Sequence, residues 1–264
     1  MKELPPWVVL HVPHDSTEIP EFTLTQFVLN EAELRTEVLR MTDHHTLALF
    51  ASQVSNEAVV RASVSRLVVD VERFVEDKQE PMHERGMGVI YMATSDIKPL
   101  RRSISPEERE ALRQSYYQPH HKELETVVKT ILEIHNRCLI IDCHSFPNTA
   151  LPYELADPNV SRPEICIGTD NYHTSKKLSD SFMSKFKDAG WIVKLDNPFS
   201  GALVPMSRYR CDSRVSAIML EVNRRLYMDE TDAEKQPEFQ RVRKKIRAAC
   251  VSAINECKCL KGEQ

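Results

Sequence analysis

Apolar residues fall into short runs along this chain, and stretches with helical spacing separate them. The runs predict strands at 7–12, 58–63, 66–72, 138–143, 164–168, 191–195 and 215–222. In 30–54, Leu34, Val38, Leu39, Met41, Leu47, Leu49 and Phe50 recur at three- and four-residue spacing, which predicts a helix. A second helix is predicted over 105–134. It opens on Ser105-Pro106-Glu107-Glu108, with a capping serine, a proline at the first helical position and acids in the first turn. Leu124, Val127, Val128, Ile131 and Leu132 then mark its buried face. Tyr116-Tyr117-Gln118-Pro119 reads as a break or kink in it. Helices are also expected at 174–188 and 236–256, the latter basic at Arg241-Val242-Arg243-Lys244-Lys245.

Strands alternating with helices imply an α/β fold: a three-layer sandwich around a mostly parallel, mixed sheet. No repeat or linker divides the chain, so 1–264 reads as one domain. The polar, irregular stretches 75–104 and 145–163 are long enough to be active-site loops.

Composition narrows the class without naming it. The formal net charge is −4, with 41% hydrophobic and 28% charged residues. That balance gives no reason to expect nucleic acid or a membrane as partner and leaves a small molecule as the expected ligand. The first twenty residues lack a basic segment followed by a long apolar run, so no signal peptide is expected. Seven scattered cysteines without a Cys-x-x-Cys pair fit reduced thiols in the cytoplasm.

Chemistry concentrates where strands end. Cys138-Leu139-Ile140-Ile141 runs into Asp142-Cys143-His144-Ser145. Trp7-Val8-Val9-Leu10 runs into His11-Val12-Pro13-His14, and 215–220 runs into Glu221. Open α/β sheets place their chemistry at the carboxyl ends of strands. His14, His144 and Asp43, the last placed inside the first helix, are the candidate metal ligands. Two imidazoles and a carboxylate form a common catalytic zinc set with one position left for water. Zinc is the expected ion, with iron or manganese as alternatives. His11 fits a packing or ligand-orienting role, and His44 or His45 faces solvent or orients a ligand. His83, His135 and His173 read as surface. Glu221 closes an otherwise apolar strand and is the candidate general base. Its competing reading is a buried ion pair with Arg224 or Arg225. Arg66 and Arg73 are candidate carboxylate clamps. Tyr117 and His120 are candidates to line a substrate pocket.

The ordered set of segments resembles the N-formylglutamate amidohydrolase family. The resembling pieces are Val12-Pro13-His14-Asp15-Ser16, Thr42-Asp43, Ser65-Arg66 with Asp70-Val71-Glu72-Arg73, and Tyr117-Gln118-Pro119-His120-His121. Asp142-Cys143-His144-Ser145, Phe199-x-Gly201 and Leu220-Glu221 with Tyr227-Met228-Asp229-Glu230 complete it. The resemblance implies a fold similar to zinc carboxypeptidases and aspartoacylases. It implies zinc at His14, Asp43 and His144, Glu221 as base, and Arg73 with Arg66 on a substrate carboxylate. The implied reaction is hydrolysis of an N-formyl or other N-acyl amino acid, at the end of histidine breakdown. An esterase or peptidase acting on another small substrate, and a catalytically silent binder of acidic ligands, are the alternatives.

Three segments depart from the family's pattern: Glu72 stands where it has Asn, His44 where it has Trp, and Ala202-Leu203-Val204-Pro205 replaces a Thr/Arg-bearing run. A carboxylate at 72 beside the clamp would repel an anionic substrate. On a strand, Glu72 would face away from Arg73. Turned inward, it would favour a neutral or basic substrate.

Overall fold

The computed structural model of the protein describes residues 3–51, 57–154 and 160–259. Six strands form one sheet: β1 (Val8–Val12), β2 (Ala58–Arg61), β3 (Cys138–Phe146), β4 (Ile165–Gly168), β5 (Val193–Leu195) and β6 (Val215–Asn223). Their order is β2-β1-β3-β6-β4-β5. The first four are mutually parallel, and β4 runs antiparallel to β6 while pairing in parallel with β5. The sheet is therefore mostly parallel, as the alternation of elements implies, and the antiparallel β4–β6 pair makes it mixed.

Strand parity sorts the side chains. Leu10, Leu139, Ile141, Ile218 and Leu220 join one core with α3 (Thr46–Phe50), α6 (Lys176–Asp188) and α7 (Phe239–Cys259). Val9, Ile140 and Ala217 join Leu124, Val128 and Ile131 of α5 (Gln118–His135) on the opposite face. Burying each of the leucines, isoleucines and valines among them contributes roughly 1.5–3 kcal/mol. Two covered faces explain why the central strands read as continuous apolar runs. The same parity puts His11, Asp142, His144 and Glu221 on the α5 face, toward the strands' carboxyl ends. His11 is opposite Asp142, and His144 is opposite Glu221.

Four sequence expectations change. The predicted helix over 30–54 is two helices, α2 (Glu31–Met41) and α3, and Asp43 lies in the turn between them. Residues 52–54 fall outside the described set. His45, in the left-handed region at φ 66°, reverses the chain there. The predicted strand 66–72 is a turn. Ser65 Oγ accepts from the Leu67 N–H and Asp70 Oδ1 from the Glu72 N–H, local bonds that replace a strand ladder. The expected break before Pro119 is instead a π-turn, Arg113–Tyr117, joining α4 (Pro106–Leu112) to α5 without leaving the helix. Pro119 follows two residues after that π-turn, where the hydrogen-bond ladder is already shifted from the α pattern. Finally, His173 is buried, its ring bonded to the Val215 carbonyl and the Arg210 N–H.

The stretch 75–104 is irregular, with short 3-10 turns at Asp77–Gln79 and Pro81–Arg85. The second expected loop starts later than 145, because β3 continues to Phe146. Residues 155–159 of it lie outside the described set. A short helix, α1 (Glu21–Leu24), was not foreseen.

Candidate active site

The site lies at the carboxyl ends of β1 and β3, where the connection from β1 runs to the edge strand β2 and that from β2 returns past β1 to β3 on its other side. Such a switch point leaves a crevice between neighbouring strands. His14 follows β1 and His144 ends β3; their ring centroids are 5.1 Å apart. Both open on a cavity of about 560 Å3, whose lining includes Asp43, Arg66, Glu72, Arg73, Glu221 and Arg224.

Each imidazole is backed by an aspartate. His14 Nε2 donates to Asp70 Oδ1 at 2.9 Å, which leaves Nδ1 to face the cleft. That Nδ1 is buried with no hydrogen-bond partner. His144 Nδ1 donates to Asp43 Oδ2 at 3.1 Å, and its Nε2 lies 3.2 Å from both Glu72 and Asp142. A carboxylate bonded to one ring nitrogen fixes the tautomer that presents the other as a ligand.

The carboxylate that completes the cluster is Glu72. Ligand atoms of His14, Glu72 and His144 lie within 4.8 Å of one another. Asp43, expected as the third ligand, is committed elsewhere. Its Oδ1 accepts from Arg224 at 3.0 Å, and its Oδ2 accepts from His144 and from the Ser145 N–H. Oδ2 stands 3.7 Å from His14 Nδ1. Asp43 therefore sits as the partner of His144, in the position Asp70 holds for His14. The expectation for Glu72 failed with its strand: in the turn, Glu72 and Arg73 both face the cavity.

The donor set fits a divalent cation. Burial and the charge of Arg66 push the His14 imidazole toward neutrality, but Asp70 and Asp43 outweigh them and leave its pKa raised. Burial opposes protonation of His144 too, yet Glu72 and Asp142 hold it well above the usual histidine range. The acids thus draw protons onto two imidazoles, and a cation could replace those protons.

Glu221 shares the cavity. Burial pushes its carboxyl up to about 8. Its Oε2 is buried and has no hydrogen-bond partner. The arginines offered as its ion-pair partners are engaged otherwise: Arg224 with Asp43, and Arg225 with Glu164.

The other expected residues divide. Arg73 lines the cavity, with Nε 3.4 Å from Asp70 Oδ2 but not aligned for a hydrogen bond. Arg66 also lines it, yet its Nε donates to Tyr91 Oη and its Nη2 to Asp70. Tyr117 Oη donates to the Arg73 carbonyl at 2.9 Å and borders a second cavity. His120 does not line the cleft. It is buried on α5, with Nε2 2.8 Å from His11 Nε2, because parity aims His11 at α5. His11 Nδ1 meets Asp142 Oδ1 at 2.7 Å, so His11 supports the site from behind. Arg224 and Asp70 entered the sequence reading only as an ion-pair candidate and a motif residue. The signals present were Asp70 four residues past Arg66 and Arg224 just beyond Glu221.

A mixed, mostly parallel sheet with a buried histidine–carboxylate cluster at its strand ends defines a hydrolase-like α/β protein. The chain belongs to the N-formylglutamate amidohydrolase family, which matches residues 7–228, and so to enzymes that hydrolyse amides. Among solved structures it is similar to an N-formylglutamate amidohydrolase from Ralstonia eutropha JMP134. The TM-score is 0.81 at 19% identity, covering 96% of this chain and 94% of that one. A gene product of Agrobacterium tumefaciens is similar with a TM-score of 0.67 at 18% identity, covering 96% and 92%. Among curated proteins, no match was found. No helix among the described residues is long and apolar enough to cross a membrane.

Proposed function

We propose that this protein is a divalent-metal-dependent amidohydrolase that cleaves an N-acyl amino acid such as N-formylglutamate, releasing the amino acid and a carboxylate. The observation that carries this reading is the His14–Glu72–His144 cluster, with the unpartnered His14 Nδ1 and Glu221 Oε2 in the same cavity. His14 Nδ1, His144 Nε2 and a Glu72 oxygen would hold the ion, and two imidazoles with one carboxylate favour zinc. Bound there, it would polarise the amide carbonyl and lower the pKa of a water toward about 7. The charge of a bound cation would favour the ionised form of Glu221, which takes the proton of the attacking water and passes it to the departing nitrogen. Arg73, whose N–H groups make no hydrogen bond among the described residues, receives the substrate carboxylate in a bidentate fork. Arg66 stiffens Asp70 and presents positive charge beside it. As a ligand, Glu72 spends its charge on the cation, so its inward direction does not turn an anionic substrate away.

The test is metal content together with turnover. Purified protein loaded with zinc should bind about one ion and release glutamate from N-formyl-L-glutamate. Removing the ion with a chelator should abolish release, and adding it back should restore it. Release that persists after complete chelation rejects the metal-dependent reading. Stoichiometric metal without turnover on any amide or ester leaves the silent binder as the better description.

A further inference from the structure

The cleft has a second chamber. A cavity of about 300 Å3 lies beside the first and shares Glu72, Arg73, Ser200 and Met219 with it. The chambers differ in character. Arg40, Arg66, Arg73 and Arg224 border the first; of these only Arg73 borders the second. The second is walled by Phe74, Ala202, Leu203, Val204, Met206 and Met219. Two further acids on its wall are already engaged. Asp142 accepts from His11, His144 and the Leu203 N–H, and Asp170 accepts from the N–H groups of Tyr172 and His173. Their charge disfavours a second carboxylate there, while the apolar wall favours an aliphatic group.

The wall is built rather than incidental. Gly201 holds φ 99°, a region that disfavours side chains. A Cβ on Gly168 would lie 2.3 Å from Met219 Cε and 2.7 Å from the Gly201 carbonyl oxygen. The Leu203 N–H is tied to Asp142 Oδ2 at 2.8 Å. These contacts set 200–204 against the site at the stretch where the sequence departs from the family's Thr/Arg-bearing run.

We infer that the second chamber is an acyl pocket, and that the preferred substrates carry a medium-length alkanoyl group on an acidic amino acid. The inference rests on the amidohydrolase reading and specifies its acyl side. The amino-acid carboxylates lie toward Arg73 and Arg66, and the acyl chain passes Glu72 and Met219 into the apolar chamber. In the reaction the water oxygen bonds to the acyl carbon and the C–N bond breaks. The nitrogen leaves with the water's proton, giving an alkanoate and the free amino acid. A formyl group has no chain and leaves a chamber of this size unfilled, whereas pockets of about 300 Å3 and above hold small-molecule groups.

The experiment uses the zinc-loaded full chain with N-formyl-, N-acetyl- and N-hexanoyl-L-glutamate, reading glutamate release. The expected result is a kcat/KM at least tenfold higher for hexanoyl than for formyl. Ala202→Phe and the exposed-site change Met206→Trp should each reduce the hexanoyl-to-formyl ratio at least tenfold. Zinc content and circular dichroism confirm that these variants fold. Cleavage of the formyl compound with no cleavage of the hexanoyl one overturns the acyl pocket and leaves the amidohydrolase reading standing. Good hexanoyl cleavage with ratios unmoved in both variants places the chain elsewhere and also overturns it. Failure of all three compounds with zinc bound overturns both readings.

Discussion

Three residues carry separable roles, and each has its own signature. Glu221→Gln keeps shape and hydrogen bonding but cannot take a proton. We expect retained zinc and a kcat lower by about 10²–10⁴-fold, read from steady-state kinetics beside metal analysis. Loss of zinc would instead make Glu221 a ligand. Glu72→Gln should do the reverse, weakening zinc affinity at least tenfold in a competition titration, because an amide is a poor ligand beside two imidazoles. Arg73→Lys keeps the charge but loses the fork, so KM for an anionic substrate should rise with kcat little changed. The sequence brought His14, His144 and Glu221 to notice because each ends or follows an apolar run. It could not separate Asp43 from Glu72 as ligand. It placed Asp43 in a helix and Glu72 on a strand facing away from Arg73, and only the folded contacts show that Arg224 and His144 already occupy Asp43.

At the scale of elements, burial was legible and backbone pairing was not. Leu67, Val68, Val69 and Val71 are all buried, so 66–72 looks like a strand by its apolar content. Yet the segment is a buried turn whose polar groups bond locally through Ser65 and Asp70. An apolar run reports that side chains leave water; it does not report what the amides pair with. Alternation within each of β1, β3 and β6 follows from strand geometry, since successive residues face opposite ways, but which face meets which layer did not follow from the sequence. Setting His11 beside Asp142 and His144 beside Glu221 needed the strand order and register as well, which the sequence does not carry. The same logic makes Gly168 informative. Gly168→Ala should drive Met219 and the Gly201 backbone apart, lowering turnover and the melting temperature together, with the effect on turnover largest for substrates with long acyl groups.

Across the whole molecule, the site's charges set a pH window for stability. Burial alone would raise the carboxyls of Asp43, Asp70 and Asp142, but the imidazoles of His14, His144 and His11 and nearby arginines hold all three well below the usual range. Unfolding therefore takes up protons in acid, so stability from these groups is present above about pH 4 and is lost as pH falls further. Glu221 has the opposite sign. With its carboxyl near 8 in the fold against 4.5 as a free side chain, it costs increasing stability as pH rises between those values. Metal-free Glu221→Gln should therefore melt above the unmodified metal-free protein at pH 9, with the gap closing toward pH 5 in thermal scans. Sheet order has a further consequence, for synthesis. β6 is the strand that joins β2-β1-β3 to β4-β5, and it comes late in the chain. A nascent chain that has not emerged past Asn223 holds two separate half-sheets, each with an open inner edge, and lacks Glu221. The metal cluster His14–Glu72–His144 lies wholly on the early half, so a chain can gather its ligands before it gains the base, and the open edge of β3 stays exposed until β6 pairs with it.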